Sequence, residues 1–378
     1  MKEWMSEADQ KWAEEIYQKL VIKLKAECNR IGGKIPYIAK NGIYQEDKSE
    51  TDITWWTNGF WAGMMWQMYH AAGDEQYREA AEEVEKKLDQ AFDVYTGLHH
   101  DVGFMWLHSA VADYRLTGSE RSLARGLHAA HLLAGRYNPR GKFLRSWNKD
   151  RPGWVIVDSM MNIPLLYWAA EVTGDPRFRY IAMDHADTVM QYTVRGDGSC
   201  NHIIVLNPEN GELLDTPGGQ GYGCGSAWSR GQAWAIYGFA LSYRHTERPE
   251  YLATAKKVAH YFMAQTDATE GVALLDFRAP AEPVYWDSTA GVCAACGMLE
   301  IASHVQDLER SFYVNGAMRI LKATDRKFCN WDDQYDSIVQ MGSGSYMTEY
   351  DRHVPIIYGD YFLMEAVLKL LGKGFLIW

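Results

Sequence analysis

A short turn punctuation recurs along this chain and limits the folds open to it. Ala72-Gly73-Asp74-Glu75-Gln76-Tyr77, Thr117-Gly118-Ser119-Glu120-Arg121-Ser122-Leu123 and Thr173-Gly174-Asp175-Pro176-Arg177-Phe178 share one logic, and Thr246-Glu247-Arg248-Pro249-Glu250-Tyr251 is a weaker copy. In each, a Gly or turn residue closes one helix, an Asp or Ser cap or a Pro opens the next, and an apolar-periodic run follows. After the first turn, Tyr77, Ala80, Ala81, Val84 and Leu88 fall on a single helical face. Strand-like patterning appears only in short pieces, such as His202-Ile203-Ile204-Val205-Leu206 before Asn207-Pro208-Glu209-Asn210-Gly211. The punctuation recurs every 45 to 75 residues or so, roughly twice the period of ankyrin or tetratricopeptide arrays. Six hairpins in 378 residues average about 63 residues each, room for two helices and a long loop. The expectation is one all-α domain over residues 1–378, a ring of six helical hairpins whose closure follows from length. Its long loops gather at one end and build the site.

Composition narrows the partners. The chain has 38 Lys and Arg against 49 Asp and Glu, a formal charge of −11. No excess of cations exists to neutralise phosphates, which argues against nucleic acid or an anionic membrane as the main partner. The six cysteines, Cys28, Cys200, Cys224, Cys293, Cys296 and Cys329, follow no framework spacing. Cys293-Ala294-Ala295-Cys296 stands without a second close pair or a His pair, so no metal or redox site is expected. Free thiols suit a reducing compartment. The first ten residues are polar and lack a signal-peptide core, and the apolar stretch Gly59–Met68 is too short to span a bilayer. These features lead to the expectation of a cytoplasmic protein.

Two aspartates stand where apolar residues would be usual. Asp101 lies in His99-His100-Asp101-Val102-Gly103-Phe104, and Asp158 in Trp154-Val155-Ile156-Val157-Asp158-Ser159-Met160-Met161-Asn162-Ile163-Pro164. Burying a carboxylate costs several kcal/mol unless it is partnered. Such a group has its pKa raised, which is what a general acid needs near neutral pH. Both aspartates fall where a loop meets a helix. Several of the 15 tryptophans stand at similar junctions: Trp55, Trp56, Trp61, Trp147, Trp228 and Trp234. Flat aromatic faces beside Asp, Asn and Gln suit a sugar ring. Trp66, Trp106 and Trp168 sit at helical spacing among Met and Leu and read as core. The glycine-rich Pro217–Ser226 loop lacks the Gly-Lys-Ser/Thr of a phosphate loop and reads as a pocket wall. Arg230 and Trp234, four apart, share a helix face, and Arg230 either grips a carboxylate or pairs with a buried Asp. Of His99 and His100, one is expected to bond the substrate and the other to pack. Adjacent histidines point different ways, so metal binding is not expected there. His202 alone reads as structural.

The strings around Asp101 and Asp158, together with Trp228-Ser229-Arg230-Gly231-Gln232-Ala233-Trp234-Ala235-Ile236-Tyr237-Gly238-Phe239, resemble unsaturated glucuronyl hydrolases, glycoside hydrolase family 88. The likeness runs in order from about Trp55 to Phe362. It implies an (α/α)6 barrel acting on lyase-generated oligosaccharides of the glycosaminoglycan type, which end in a 4,5-unsaturated uronic acid. It also implies an unusual reaction: hydration of the C4=C5 vinyl ether instead of displacement at the anomeric carbon between two carboxylates. By resemblance Asp158 is the acid and base, kept protonated by Val155, Ile156 and Val157, and Asp101 is the second essential carboxylate. Trp56, His100, Trp147, His202, Gln220, Arg230 and Trp234 match substrate-binding positions, and no cofactor or metal is implied. The chain departs from the family pattern at Asn58, where some members carry Asp. It departs again in Ser345-Tyr346-Met347-Thr348-Glu349-Tyr350-Asp351, where members acting on sulfated substrates carry a Ser-x-x-Ser-x-Lys-like patch. Ser345 and Thr348 are expected to contribute here, but Tyr350 replaces the cation, which disfavours a 6-sulfated substrate. Rival readings are an unsaturated rhamnogalacturonyl hydrolase, a sugar 2-epimerase and a non-catalytic sugar-binding toroid. The His99-His100-Asp101 string favours the glucuronyl group, no matching pair of histidine bases supports the epimerase, and a binding toroid has no need of two aspartates in apolar runs.

Overall fold

The turn punctuation closes helix pairs where the sequence places it in the computed structural model, which describes residues 1–378. The chain starts with a long helix, α1 (Glu7–Ile31), and five hairpins follow. They are α2 (Phe60–Ala72) with α3 (Glu75–Leu88), α4 (102–117) with α5 (Glu120–Ala134), α6 (Pro164–Thr173) with α7 (Pro176–Thr193), α8 (Ser229–Thr246) with α9 (Pro249–Asp267), and α10 (Ser288–Ala302) with α11 (Asp307–Phe328). A last helix is α12 (Ile357–Leu371). Gly73, Gly118 and Gly174 close their helices at φ near +70°, a region that L side chains avoid. Asp74, Ser119 and Asp175 then cap the next helix through their side chains. The turn at Ser303–Gln306 has neither the glycine nor a side-chain cap, so the sequence gives no sign of it.

Ring closure differs from six hairpins in tandem. Helix α12 packs against α1, α2 and α10, so the sixth pair is assembled from the two ends of the sequence. The result is an (α/α)6 barrel with α2, α4, α6, α8, α10 and α12 inside. Inner helices are apolar on most faces: every residue of α10 is buried. Outer helices such as α3 bury one stripe. One cluster of 106 buried hydrophobic residues runs through the ring. Trp61 belongs to that cluster and is not at the pocket mouth expected for it; its indole N–H donates to the Gly32 carbonyl at 2.9 Å. All six cysteines are unpaired, and burial pushes the thiols of Cys293 and Cys296 well up, which keeps them inert. No helix is long and apolar enough to cross a membrane.

The loops leading into the inner helices carry three small antiparallel sheets. Strands β1 (Tyr137–Asn138) and β2 (Phe143–Leu144) form a hairpin, and β3 (Trp154–Ile156), β4 (Ile203–Leu206) and β5 (Leu213–Asp215) form an antiparallel sheet. A last pair joins β6 (Gly342–Ser343) to β7 (Arg352–Val354). Pairing of Ile156 with Ile203 fixes the strand that delivers Asp158.

Helices in the ring approach closely where glycine allows it. A Cβ on Gly238 of α8 would lie 2.4 Å from Met160 Cβ and 2.7 Å from the Met160 carbonyl oxygen. Gly238→Ala is expected to cost about 1–3 kcal/mol by overpacking and to lower the melting temperature by several degrees. An unchanged thermal unfolding curve would rule out this close packing.

Candidate active site

A cavity of about 240 Å³ opens among the loops that feed the inner helices. Trp55 and Trp56 precede α2, His100 and Asp101 precede α4, Asp158 precedes α6, and Arg230 and Trp234 lie at the start of α8. Four inner helices thus present their N-terminal ends here, where the summed peptide dipoles favour a bound anion.

At the centre, His100 links the two aspartates. Its Nδ1 lies 2.8 Å from the Ser146 carbonyl oxygen, which can only accept, so Nδ1 carries a hydrogen. Its Nε2 faces Asp158 Oδ1 at 3.0 Å and Asp101 Oδ1 at 3.3 Å. Asn162 fastens the same pair from below. Its amide nitrogen donates to Asp101 Oδ1 at 3.1 Å and to the Asp158 carbonyl at 3.2 Å, while its oxygen accepts from the Phe104 N–H at 2.8 Å. The approach requires Gly103, since a Cβ there would stand 2.5 Å from Asn162 Cα. Asp101 is the deeper carboxyl, its side chain 8% exposed against 16% for Asp158. Burial pushes Asp101 up to about 7 despite the opposing pull of His100, and the Asp158 charge adds to the rise. The same two carboxylates outweigh burial at His100 and hold its imidazole above the usual histidine range. The apolar jacket expected around Asp158 is partial: Ile156 lines the cavity, whereas Val155 and Val157 are buried in the core.

The other expected residues divide into three groups. Trp56, Trp147, Gln220, Arg230 and Trp234 line the cavity with both aspartates and His100. His202 sits just behind, its ring 4.2 Å from that of Trp228. Burial drives it down to about 4, and its Nδ1 accepts from the Gln220 N–H at 2.9 Å, so the neutral ring carries its hydrogen on Nε2. Ser345 and Thr348 are not among the lining residues. Thr348 Oγ1 is turned into its own loop by a bond to Asp351, and Ser345 Oγ accepts from the Met347 N–H at 3.4 Å.

Arg230 takes the pairing that the sequence left open. It is buried against Asp287 (3.0 Å) and donates to the carbonyls of Ser343 and Gly344, under the rings of Trp228 and Tyr358. Its Nε, however, has no partner in the protein. The same holds for Trp55 Nε1, Trp228 Nε1 and His202 Nε2. Buried donors are nearly always satisfied, so four around one cavity mark it as a place for a ligand rich in acceptors. Trp55 and Trp228, read from the sequence as loop-edge tryptophans, line the cavity as well, together with His99 and Ile156. Asn162 was missed, although its spacing of four from Asp158 was a legible signal. His99, His100 and Asp101 bring three potential metal-ligand atoms within 4.8 Å of one another. Both nitrogens of His100 already have protein partners, which leaves that cluster poorly disposed to bind an ion.

The profile of Glycosyl Hydrolase Family 88 matches residues 37–272. The chain belongs to that family. It is 35% identical over 368 residues to the unsaturated glucuronyl hydrolase of Bacillus sp. strain GL1, covering 95% of this chain and 96% of that one. The crystal structure of the GL1 enzyme superposes with a TM-score of 0.89. The unsaturated chondroitin disaccharide hydrolase of Streptococcus pyogenes is 31% identical, over 84% of this chain and 82% of its own length. An unsaturated glucuronyl hydrolase variant from Streptococcus agalactiae, solved with dGlcA-GalNAc6S, is 28% identical with a TM-score of 0.83 over 97% of this chain and 93% of that one. As a family 88 member the protein is a glycoside hydrolase.

Asp101 gives this family 88 site a pH signature. Its folded pKa of about 7 exceeds the unfolded value of about 3.9. The folded state therefore binds the extra proton between those values. That stabilisation is complete below about pH 4 and is lost as pH rises through about 7. Asp101→Asn is expected to make the fall in stability between pH 5 and 7 shallower, by up to one proton's worth. Denaturant titrations across that range check it, and an unchanged slope would contradict the assignment.

Proposed function

We propose that this enzyme releases a 4,5-unsaturated uronic acid from the non-reducing end of lyase-generated, glycosaminoglycan-type oligosaccharides by hydrating the C4=C5 double bond. Asp158 delivers a proton to C4 and, as a carboxylate, takes one from the water that adds at C5. The hemiketal so formed opens and expels the rest of the oligosaccharide. Asp101 binds ring hydroxyls and tunes Asp158. The observation that carries this reading is the pairing of Asp158 with His100 and Asp101 at the base of a tryptophan-walled cavity containing four unpartnered buried donors. Trp56, Trp147 and Trp234 offer faces for sugar rings. Arg230 Nε, His202 Nε2, Gln220 and the helix N-termini favour the uronate carboxylate. No cofactor or metal takes part. The six unpaired thiols fit action in the reducing cytoplasm.

The structure around residues 345–351 supports an unsulfated substrate. Thr348 is engaged by Asp351, Glu349 is exposed, and the exposed Tyr350 supplies no charge. An unsulfated unsaturated chondroitin disaccharide is expected to be turned over with kcat/KM at least about tenfold above its 6-sulfated form, a difference of about 1.4 kcal/mol. Loss of ultraviolet absorbance from the conjugated double bond follows the reaction. Asp158→Asn is expected to reduce the rate by about 10²–10⁴. Wild-type protein that leaves the absorbance of every such disaccharide unchanged would exclude hydration, and a faster 6-sulfated substrate would exclude the unsulfated preference.

A further inference from the structure

We propose that His100 is a positioning residue that passes the reaction's proton between Asp101 and Asp158 through its Nε2. The inference rests on the hydration reading and goes beyond it, since the sequence and the resemblance placed His100 only among substrate contacts. Geometry leaves it little freedom for such a contact. The ring is 1% exposed, its Nδ1–H is committed to the Ser146 carbonyl, and Nε2 has a carboxylate oxygen on either side at 3.0 and 3.3 Å. The Ser146 carbonyl is itself fixed, accepting from Arg136 Nη2 at 3.0 Å, while Ser146 Oγ accepts from the Ile156 N–H at 2.8 Å. A ring held by one nitrogen, with the other between two carboxylates, can take a proton from one side and release it to the other without turning.

Other groups around the ring do not compete for that proton. His99, whose Nδ1 lies 3.2 Å from His100 Nδ1 and 3.3 Å from Asp101 Oδ2, is pushed down to about 3 by burial, with the charge of His100 adding to the fall, so it stays neutral beside the Asp101 carboxyl. His185 on α7 is likewise held near 3 by burial and bonds Ser159 Oγ. Arg136 is a fixed cation past the Ser146 carbonyl. The proton therefore belongs to the trio. It leaves the Asp101 carboxyl for Nε2, giving an imidazolium and a carboxylate, and then leaves Nε2 for Asp158. The Asp158 O–H bond breaks as the C4–H bond forms from the C4=C5 electron pair. Water adds its oxygen to C5 and gives a proton to the Asp158 carboxylate, and that proton returns through Nε2 to Asp101. One water is consumed, and the enzyme ends in its starting state.

The test uses His100→Gly and His100→Gln in the absorbance assay with unsulfated unsaturated chondroitin disaccharide. His100→Gln keeps an amide donor but cannot carry a proton. It is expected to lose kcat about 10²-fold, to keep KM within about threefold, and to move the alkaline limb of the kcat profile to higher pH, because the imidazole that pulls the Asp101 carboxyl down is gone. His100→Gly is expected to recover activity with added imidazole and not with pyrazole, which has the same ring shape and negligible basicity. Equal rescue by both rings, or a rise in KM with kcat and its pH profile unchanged, overturns the relay. If His100→Gly does not fold, the pH profile of His100→Gln decides alone. Wild-type protein and Asp158→Asn run alongside: an inactive wild type defeats the hydration reading, whereas an active wild type without imidazole-specific rescue defeats only the relay.

Discussion

The closing contact of α12 with α1 and α2 is the constraint on which the rest of the molecule depends. Inner helices such as α10 are buried on every face, so none of them finds shelter in its own hairpin. Each needs a neighbour on both sides, and an open row of five hairpins would leave two such helices facing water. Only a ring removes both exposed ends. Once it closes, the loops entering the inner helices converge, and residues far apart in sequence surround one cavity.

Inside that cavity, positive and negative groups are arranged differently. The cation, Arg230, is neutralised by Asp287 and fixed by two carbonyls, leaving its Nε–H without a partner. The two carboxyls are left without a full counter-charge and lean on a histidine. At Asp101 burial outweighs the pull of His100, and the carboxyl keeps its proton to about pH 7. A site made this way suits an anion, through neutral donors and helix dipoles, and keeps acidity available beside it.

Much of this was legible in the sequence because local rules and the fold agree. The Gly–Asp and Gly–Ser turns at 73–74, 118–119 and 174–175 announced helix pairs, and the loop-edge Trp56, Trp147 and Trp234 announced a pocket. Three things were not legible. The turn near Ser303 has no glycine or side-chain cap, so it gave no signal. Trp61 resembles its neighbours Trp55 and Trp56 in sequence, but one helical turn is enough to rotate it into the core. The relation of Asp101 to Asp158 depends on His100 and Asn162 crossing between separate elements, and no spacing rule reaches across 57 residues. The sequence placed both aspartates in apolar runs without ranking their depth, and the deeper carboxyl is Asp101.

The anchoring of Arg230 has a bearing on how the enzyme comes to life. Its tryptophan-lined surroundings are complete by residue 234, but the carbonyls that hold its guanidinium belong to Ser343 and Gly344, more than a hundred residues later. A growing chain therefore holds every tryptophan of the cavity before it holds the carbonyls that tether the arginine. Electrical completion of the site therefore comes with the final segments, so that competence to bind substrate and mechanical closure of the barrel arrive together.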